Sequence, residues 1–526
     1  MQTSRRTFLK ELGFAAGALF FLPGENRLWA DVAATLPSST PSAEGVDPAG
    51  IHAFLDALSA GKMEIHSFML MRHGRVVADG WWAPYERSLR HSLYSLSKSF
   101  TSTAIGLLVA DGKLNVNDKI ASIFPDDLPA TASENLAAVR VKDLLTMSVG
   151  HATDPTFEMI KSENWLRAFL AWPVEHSPGT HFVYNSGATY TLSAIVQKRT
   201  GKSALDFLRE RLFAPLGITD ATWETCPRGI CTGGWGLSVP TEALAKMAQL
   251  YLQRGVWNGK EILPASWAIE ATSKQVQQPL PDKPARPIEK NDWLQGYGYQ
   301  FWRSQHGAFR GDGAFGQYAI VMPEQDAVLA ITAEIGNMQG EIDLVWEHLI
   351  PAMKPVVTAD AAADEKLRAR LAALALPIPA GVASSNAARI SGKMVRFEKN
   401  DLGIESADFT FADTTCAVTF RDASREHRIP CGLGKWQRGE TALPGTPPRL
   451  VSGGGRPGVA LPISSAAAWV DEATLALTVR FHETPHHEVL TFRFDENRVA
   501  LTFRSSIVAL NPSGKDPRAA LRGVLG

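Results

Sequence analysis

Net charge is almost absent: the 526-residue chain sets 53 Lys and Arg against 54 Asp and Glu, a formal balance of −1. Beyond its first residues it carries no lysine or arginine block, which excludes the electrostatic footprint of a protein that binds nucleic acid or an anionic membrane. Cysteine is scarce, four in all, with no Cys-x-x-Cys or Cys/His cluster, so no zinc site is expected. Long apolar runs are missing as well. The stretch from Leu12 to Leu22 is about half the length a membrane-spanning helix needs, so no stable membrane anchor is expected. With 45% hydrophobic and 20% charged residues, the remainder has the composition of an ordinary soluble globular protein. Small molecules become the default partners.

The ends and the cysteines add to this. Ser4-Arg5-Arg6-Thr7-Phe8-Leu9-Lys10, the apolar stretch, Pro23-Gly24 and the small-residue site near Ala30 spell a twin-arginine export signal over residues 1–30. The expected partner is the twin-arginine export machinery, and the expected location is periplasmic or otherwise exported. The nearly 500 residues that follow exceed what one core usually organises. In an oxidising compartment Cys226 and Cys231 are close enough in sequence to pair. A two-residue turn at Ala423-Ser424 would set Cys416 opposite Cys431 across a hairpin, where a bridge is possible; four free buried thiols are the alternative.

The most informative stretch is Ser95-Leu-Ser-Lys98, which offers a hydroxyl and an amine one helical turn apart. The apolar run Phe100, Ala104, Ile105, Leu107, Leu108, closed by Asp111-Gly112, predicts a buried helix with Ser95 in its first turn. First-turn N–H groups lack intrahelical partners and carry positive dipole, suited to a developing oxyanion, while a buried neutral lysine can take the serine proton. Ser59-Ala-Gly-Lys62 fits the same string, but Gly61 interrupts it and no apolar helix follows, so it marks the end of a helix holding Phe54, Leu55 and Leu58.

From about residue 45 to 355 strands and helices mix. A hairpin opens the region (Ser67 to Arg72, turn His73-Gly74, Arg75 to Ala78), helices follow at 100–111, 190–200, 204–213 and 241–253, and strands return at Tyr318 to Met322 and Ala327 to Thr332. This is an α+β pattern: an antiparallel sheet closed by both ends of the region, flanked by helices, with a helical subdomain. A helical linker at 356–379 leads to a segment of different texture, 380–510, in which Leu475, Leu477, Val479 and Phe481 alternate with Ala476, Thr478, Arg480 and His482, and Val499, Leu501 and Phe503 repeat the pattern. A C-terminal all-β sandwich or barrel-like domain is expected. Within it, His482-Glu-Thr-Pro-His486 spells a zinc-peptidase string, yet Pro485 forbids the required helix and makes it a hairpin tip. The Gly/Pro-rich stretch 439–461 has no following helix and is taken as a surface connection.

Acyl transfer needs a second proton carrier and a second oxyanion donor. Tyr184, in the polar loop Pro178 to Gly187, and the turn within Arg310-Gly-Asp-Gly-Ala-Phe-Gly-Gln317 are the candidates. With Gly112-Lys-Leu-Asn-Val-Asn-Asp-Lys119, Val141-Lys-Asp-Leu-Leu-Thr-Met147, Pro178-Gly-Thr180 and Met322-Pro-Glu-Gln-Asp326, residues 45–352 resemble the penicillin-recognising serine hydrolase superfamily, in the branch of class C β-lactamases, family VIII-type esterases and 6-aminohexanoate-dimer hydrolases. The resemblance implies Ser95 as nucleophile, Lys98 as its base, Tyr184 as proton shuttle, the backbone N–H groups of Ser95 and Phe315 as oxyanion hole, and Asn185, Ser186, Asp312, Gly313 and Ala314 along the substrate. It implies no cofactor and no metal.

Two departures bear on substrate. The family's Tyr-x-Asn has Ser186 at its third place, with Asn185 beside it, and Asp312 stands where a Lys or His is usual. An acid there disfavours a substrate carboxylate unless Arg310 or His306 compensates, so an ester or short amide is expected. The rivals are a β-lactamase or D-alanyl-D-alanine peptidase and, from another class, a non-turnover acyl-trapping sensor or binding module. The sequence leaves the C-terminal domain's role and the oligomeric state open.

Overall fold

The computed structural model describes residues 36–446, 459–509 and 514–526. The expected export signal lies outside these residues, as does most of the 439–461 connection. Residues 439–441, expected in that connection, instead belong to the strand Gln437–Thr441.

The expected closure of the first sheet is present. The strand Glu64–Arg72 turns through His73 and Gly74, both at positive φ, into Arg75–Trp81. On its other side it pairs antiparallel with the late strand Ala327–Glu334, from Arg72↔Ala327 to Glu64↔Glu334. Gln317–Met322, Phe309–Gly313 and the short edge strand Trp302–Arg303 complete six strands. The strand Ala327–Glu334 is buried at every residue, as a strand covered on both faces must be.

One cover is the helix Pro48–Ala60, started by Asp47, whose carboxylate accepts the Ala49 N–H. Ser59 and Lys62 fall at its exposed end. The helix Ala361–Ala372, expected only to link, packs on this same core: Leu367 is buried there, and Arg370 reaches Asp56 at 2.6 Å and the His52 carbonyl at 3.1 Å.

On the opposite side the helix Thr241–Leu252 packs on Ala327–Glu334, and the helix Ser97–Ala110, buried from Ser97 through Leu108, lies against Phe309–Gly313. It packs beside Ser186–Thr200, whose N-cap is Asn185 and whose C-cap is Gly201 at positive φ. The expected helix at 204–213 changes character midway, Ala204–Leu208 being α and Arg209–Phe213 a π turn.

The C-terminal region is a ten-stranded sheet running antiparallel from Glu426–Leu433 round to Gln437–Thr441. It closes on itself where Gly432 and Leu433 pair in parallel with Ala466 and Ala467. Closure removes the exposed edge of a sheet, and the expected barrel-like form is what results. Its core includes Leu475, Leu477, Val479, Phe481, Val499, Leu501 and Phe503. Cys416 stands opposite Cys431 in the predicted register; all four cysteines are free and buried.

The alternation breaks at one end. Arg480 and His482, placed by periodicity on the polar face, are 4% and 2% exposed. That end of the barrel meets the first sheet and the segment that follows its strand Arg75–Trp81: Arg480 forks onto Glu64 at 2.5 and 3.2 Å, Arg90 pairs with Glu483, and Arg438 pairs with Glu86. Both sheets belong to one compact unit, Pro37–Gly526. No helix among the described residues is long and apolar enough to cross a membrane.

Candidate active site

Ser95 lies one step earlier than the first α-helical turn. It sits in the single 3₁₀ turn Tyr94–Leu96, and the α-helix begins at Ser97. Tyr94 enters that turn at φ +46°, an uncommon conformation for a bulky residue, concentrated where a fold holds strain at a site. The first bonds of the turn are donated by Leu96 and Ser97, so the Ser95 N–H stands ahead of them at the positive end of the helix.

The amine of Lys98 meets three oxygens: Ser95 Oγ at 3.0 Å, Ser186 Oγ at 3.0 Å and the Gly234 carbonyl at 2.8 Å. Every one is neutral. The side chain is buried, and burial lowers its pKa to about 7, with the more distant Asp154 and Asp312 pulling the other way. An ordinary lysine at pH 7 is neutral in roughly one molecule in three thousand; with its pKa lowered toward neutrality, the neutral amine of Lys98 is a substantial population. A neutral amine 3.0 Å from a hydroxyl can accept its proton.

The Tyr184 phenol sits beside Ser95, and its ring lies under the Lys98 amine, 4.8 Å from Nζ to centroid. Burial raises its pKa, so the phenol keeps its proton. Two grips on Met147 aim the loop: the Val183 N–H donates to the Met147 carbonyl at 2.9 Å, and the Asn185 N–H reaches its sulfur at 3.2 Å. The ring stacks on Trp302 at 5.4 Å and 27°.

The opposite wall is the edge of the six-stranded sheet. Asp312, Gly313 and Ala314 lie beyond the residues that pair with Trp302 and Arg303, and Phe315 turns the chain at φ +69°. The Phe315 carbonyl accepts the Ile335 N–H at 3.0 Å. A Cβ on Gly313 would overlap the Leu93 carbonyl, so only glycine lets this strand lie against the segment that carries Ser95.

Three expectations need correction. Asn185 does not face the cleft: its Oδ1 caps the following helix at Ala188, its Nδ2 bonds His151 at 2.9 Å, and it is 1% exposed. Arg310 does not stand free to receive a carboxylate, because its guanidinium pairs with Asp312 at 2.9 Å, donates to Ser304 Oγ at 2.7 Å and lies 4.5 Å over Trp293. His306 packs at 5.4 Å on Trp346. Sequence reasoning also missed Gly234. The cluster Gly233-Gly234-Trp235-Gly236 was the available signal: a Cβ on Gly234 would press on Ser186 at 3.0 Å from its carbonyl oxygen.

His482-Glu-x-x-His486 is the tip between the strands Thr474–Phe481 and His487–Asp495, as Pro485 required. Its histidines diverge, His482 to Ser464 Oγ and His486 to Glu334. Glu64, Glu334 and His487 do bring ligand atoms within 4.8 Å of one another. Arg480, His66 and His486 already engage these carboxylates, and the guanidinium opposes a cation.

This fold and this cleft define a β-lactamase-type serine hydrolase, and comparison with known proteins agrees. The Beta-lactamase family model matches residues 53–344, more than half of the chain, which therefore belongs to that family and is an enzyme of the serine hydrolase class. The 6-aminohexanoate-dimer hydrolase of Paenarthrobacter ureafaciens is 23% identical over 286 residues, 50% of this chain and 71% of the relative. The lovastatin esterase of Penicillium rubens is 27% identical over 160 residues, 26% of this chain and 40% of the relative. Among solved structures, the octameric penicillin-binding protein homologue from Pyrococcus abyssi matches at 16% identity with a TM-score of 0.47, covering 90% of this chain and 99% of its own.

Proposed function

We propose that the protein is an exported hydrolase that cleaves an ester or short amide lacking a carboxylate beside the scissile bond, through an acyl-enzyme on Ser95. The observation that carries this is the Lys98 amine, with its lowered pKa, 3.0 Å from Ser95 Oγ.

Ser95 Oγ attacks the carbonyl carbon while its proton passes to Lys98, and the carbonyl oxygen, now negative, accepts from the N–H groups of Ser95 and Phe315. The ammonium's proton travels through the Tyr184 phenol to the leaving alkoxide or amine, and the bond to the leaving group breaks. Water then repeats the sequence on the acyl carbon, giving the acid and returning the proton to Ser95. Ser186 and Gly234 hold the amine in place throughout. Substrate class follows from the pairing of Arg310 with Asp312: a carboxylate arriving there would meet a buried acid and a cation already matched. Periplasmic location rests on the twin-arginine signal.

The test is intact-protein mass and turnover with a fluorophosphonate, a short-chain p-nitrophenyl ester and a penicillin, on the wild type and Ser95→Ala. The expected result is a Ser95-dependent phosphonate adduct, fast ester turnover and little penicillin acylation. A stable penicillin adduct would replace the esterase reading with a cell-wall one, and an acyl adduct that forms but never hydrolyses would point to a trap.

A further inference from the structure

The imidazole of His486 carries the C-terminal barrel to Tyr94 and Phe315. His486, 1% exposed, sits at the tip that Pro485 turns, fixed by its own N–H on Thr484 Oγ1 at 3.1 Å and its carbonyl accepting the Phe481 N–H at 3.2 Å. Its Nδ1 lies 2.6 Å from Glu334 Oε1, at the end of the central strand of the first sheet. Its Nε2 lies 2.8 Å from the Tyr94 hydroxyl. Its ring stands edge-on to Phe315 at 4.6 Å, and Phe315 in turn stands edge-on to Tyr94 at 5.3 Å. Tyr94 and Phe315 therefore form a single cluster with this imidazole.

Those two residues flank the oxyanion hole. Tyr94 precedes the Ser95 N–H in the chain, and Phe315 carries the other donor; both have positive φ, +46° and +69°, conformations that persist only when surroundings enforce them. Burial pushes the Glu334 carboxyl up, but the hydrogen bonds from His486 and His487 outweigh it and keep it ionised. An ionised Glu334 takes the Nδ1–H and leaves Nε2 to accept the Tyr94 O–H.

We infer that His486 is a positioning residue for catalysis: the barrel sets the spacing of the Ser95 and Phe315 oxyanion donors through the contacts of His486 with the Tyr94 hydroxyl and the Phe315 ring. This rests on the acyl-enzyme function proposed above, and it assigns the second domain a part in chemistry. A loosened donor pair weakens a contact made in the transition state, so the loss falls on kcat with KM kept.

Three variants of the full chain test it. Tyr94→Phe keeps the ring and removes the hydroxyl. His486→Gln places an amide where Nε2 was, preserving the Tyr94 contact, whereas His486→Asn preserves the Glu334 contact and loses Tyr94. The expected result is a kcat lowered ~10-fold or more in Tyr94→Phe and in His486→Asn, with KM changed less than about twofold, and His486→Gln staying within about threefold of wild type. A purely structural role for the buried His486–Glu334 pair would reverse the order of the two histidine variants and would overturn the inference, as would full kcat in Tyr94→Phe. If the histidine variants fail to fold, Tyr94→Phe alone decides. Ser95→Ala is assayed beside them: turnover that survives it overturns the proposed function as well, while Ser95-dependent turnover indifferent to Tyr94 and His486 overturns this inference alone.

Discussion

Two cations are buried close to the cleft, and they differ in what surrounds them. Lys98 is 1% exposed and Arg310 is fully buried. Lys98 meets two hydroxyls and a carbonyl, all neutral. Arg310 meets the Asp312 carboxylate, the Asp292 carbonyl and the faces of Trp293 and Trp302. Equal burial gives opposite outcomes. An amine without a counter-charge sheds its proton near neutrality and becomes a base. A guanidinium cannot do so and needs its carboxylate to remain inside. Burial supplies the strain, and the nearest acid decides whether it is used for chemistry or for structure.

The contrast breaks most severely if Lys98 is exchanged for a cation that cannot be neutral. Lys98→Arg should lose activity as fully as Lys98→Ala, by ~10³-fold in kcat/KM, measured by ester hydrolysis; activity in Lys98→Arg would mean charge alone suffices. On the other side, Asp312→Asn removes the carboxylate paired directly with a buried guanidinium and should lower stability by about 3 kcal/mol, read from the denaturant midpoint.

The comparison sharpens if Lys98 is given what Arg310 has. Ser186→Asp places a carboxylate beside Nζ, which favours the ammonium, raises the lysine pKa by one unit or more and moves the rising limb of the pH–rate profile upward. At pH 7 that costs about fivefold or more in kcat/KM; a profile that stays in place would show that Lys98 is not the titrating group. Smallest of all, Ser59→Ala, in the exposed copy of the same four-residue string, should leave kcat/KM unchanged and stability within about 0.5 kcal/mol.

What was legible follows the range of the interactions. Ser95 and Lys98 are three residues apart, so helical periodicity alone brings them together. The hairpin at His73-Gly74 and the register of Cys416 with Cys431 are set by their own turns in the same way. The closure of the first sheet by its last strands was legible because a strand covered on both faces is largely apolar, as 327–331 is.

Illegibility begins where a polar residue has two equally lawful uses. Asn185 suits a cap and a cleft alike, and only the position of His151 shows that it caps. Arg480 and His482 obey strand alternation yet are buried, because periodicity gives a face and says nothing about what covers it. The contact of His486 with Tyr94 spans 392 residues, and no local pattern announces it; the His-Glu-x-x-His string that drew attention to the place did so for the wrong reason.

The most direct test of Lys98 as the base is the rate at which a fluorophosphonate labels Ser95 between about pH 5 and pH 9, since labelling reports nucleophile activation without deacylation. The rate should rise through an apparent pKa near 7, the value burial gives Lys98, and level off above it. A rate that is flat across that range, or that climbs without a plateau as hydroxide does, would contradict the assignment.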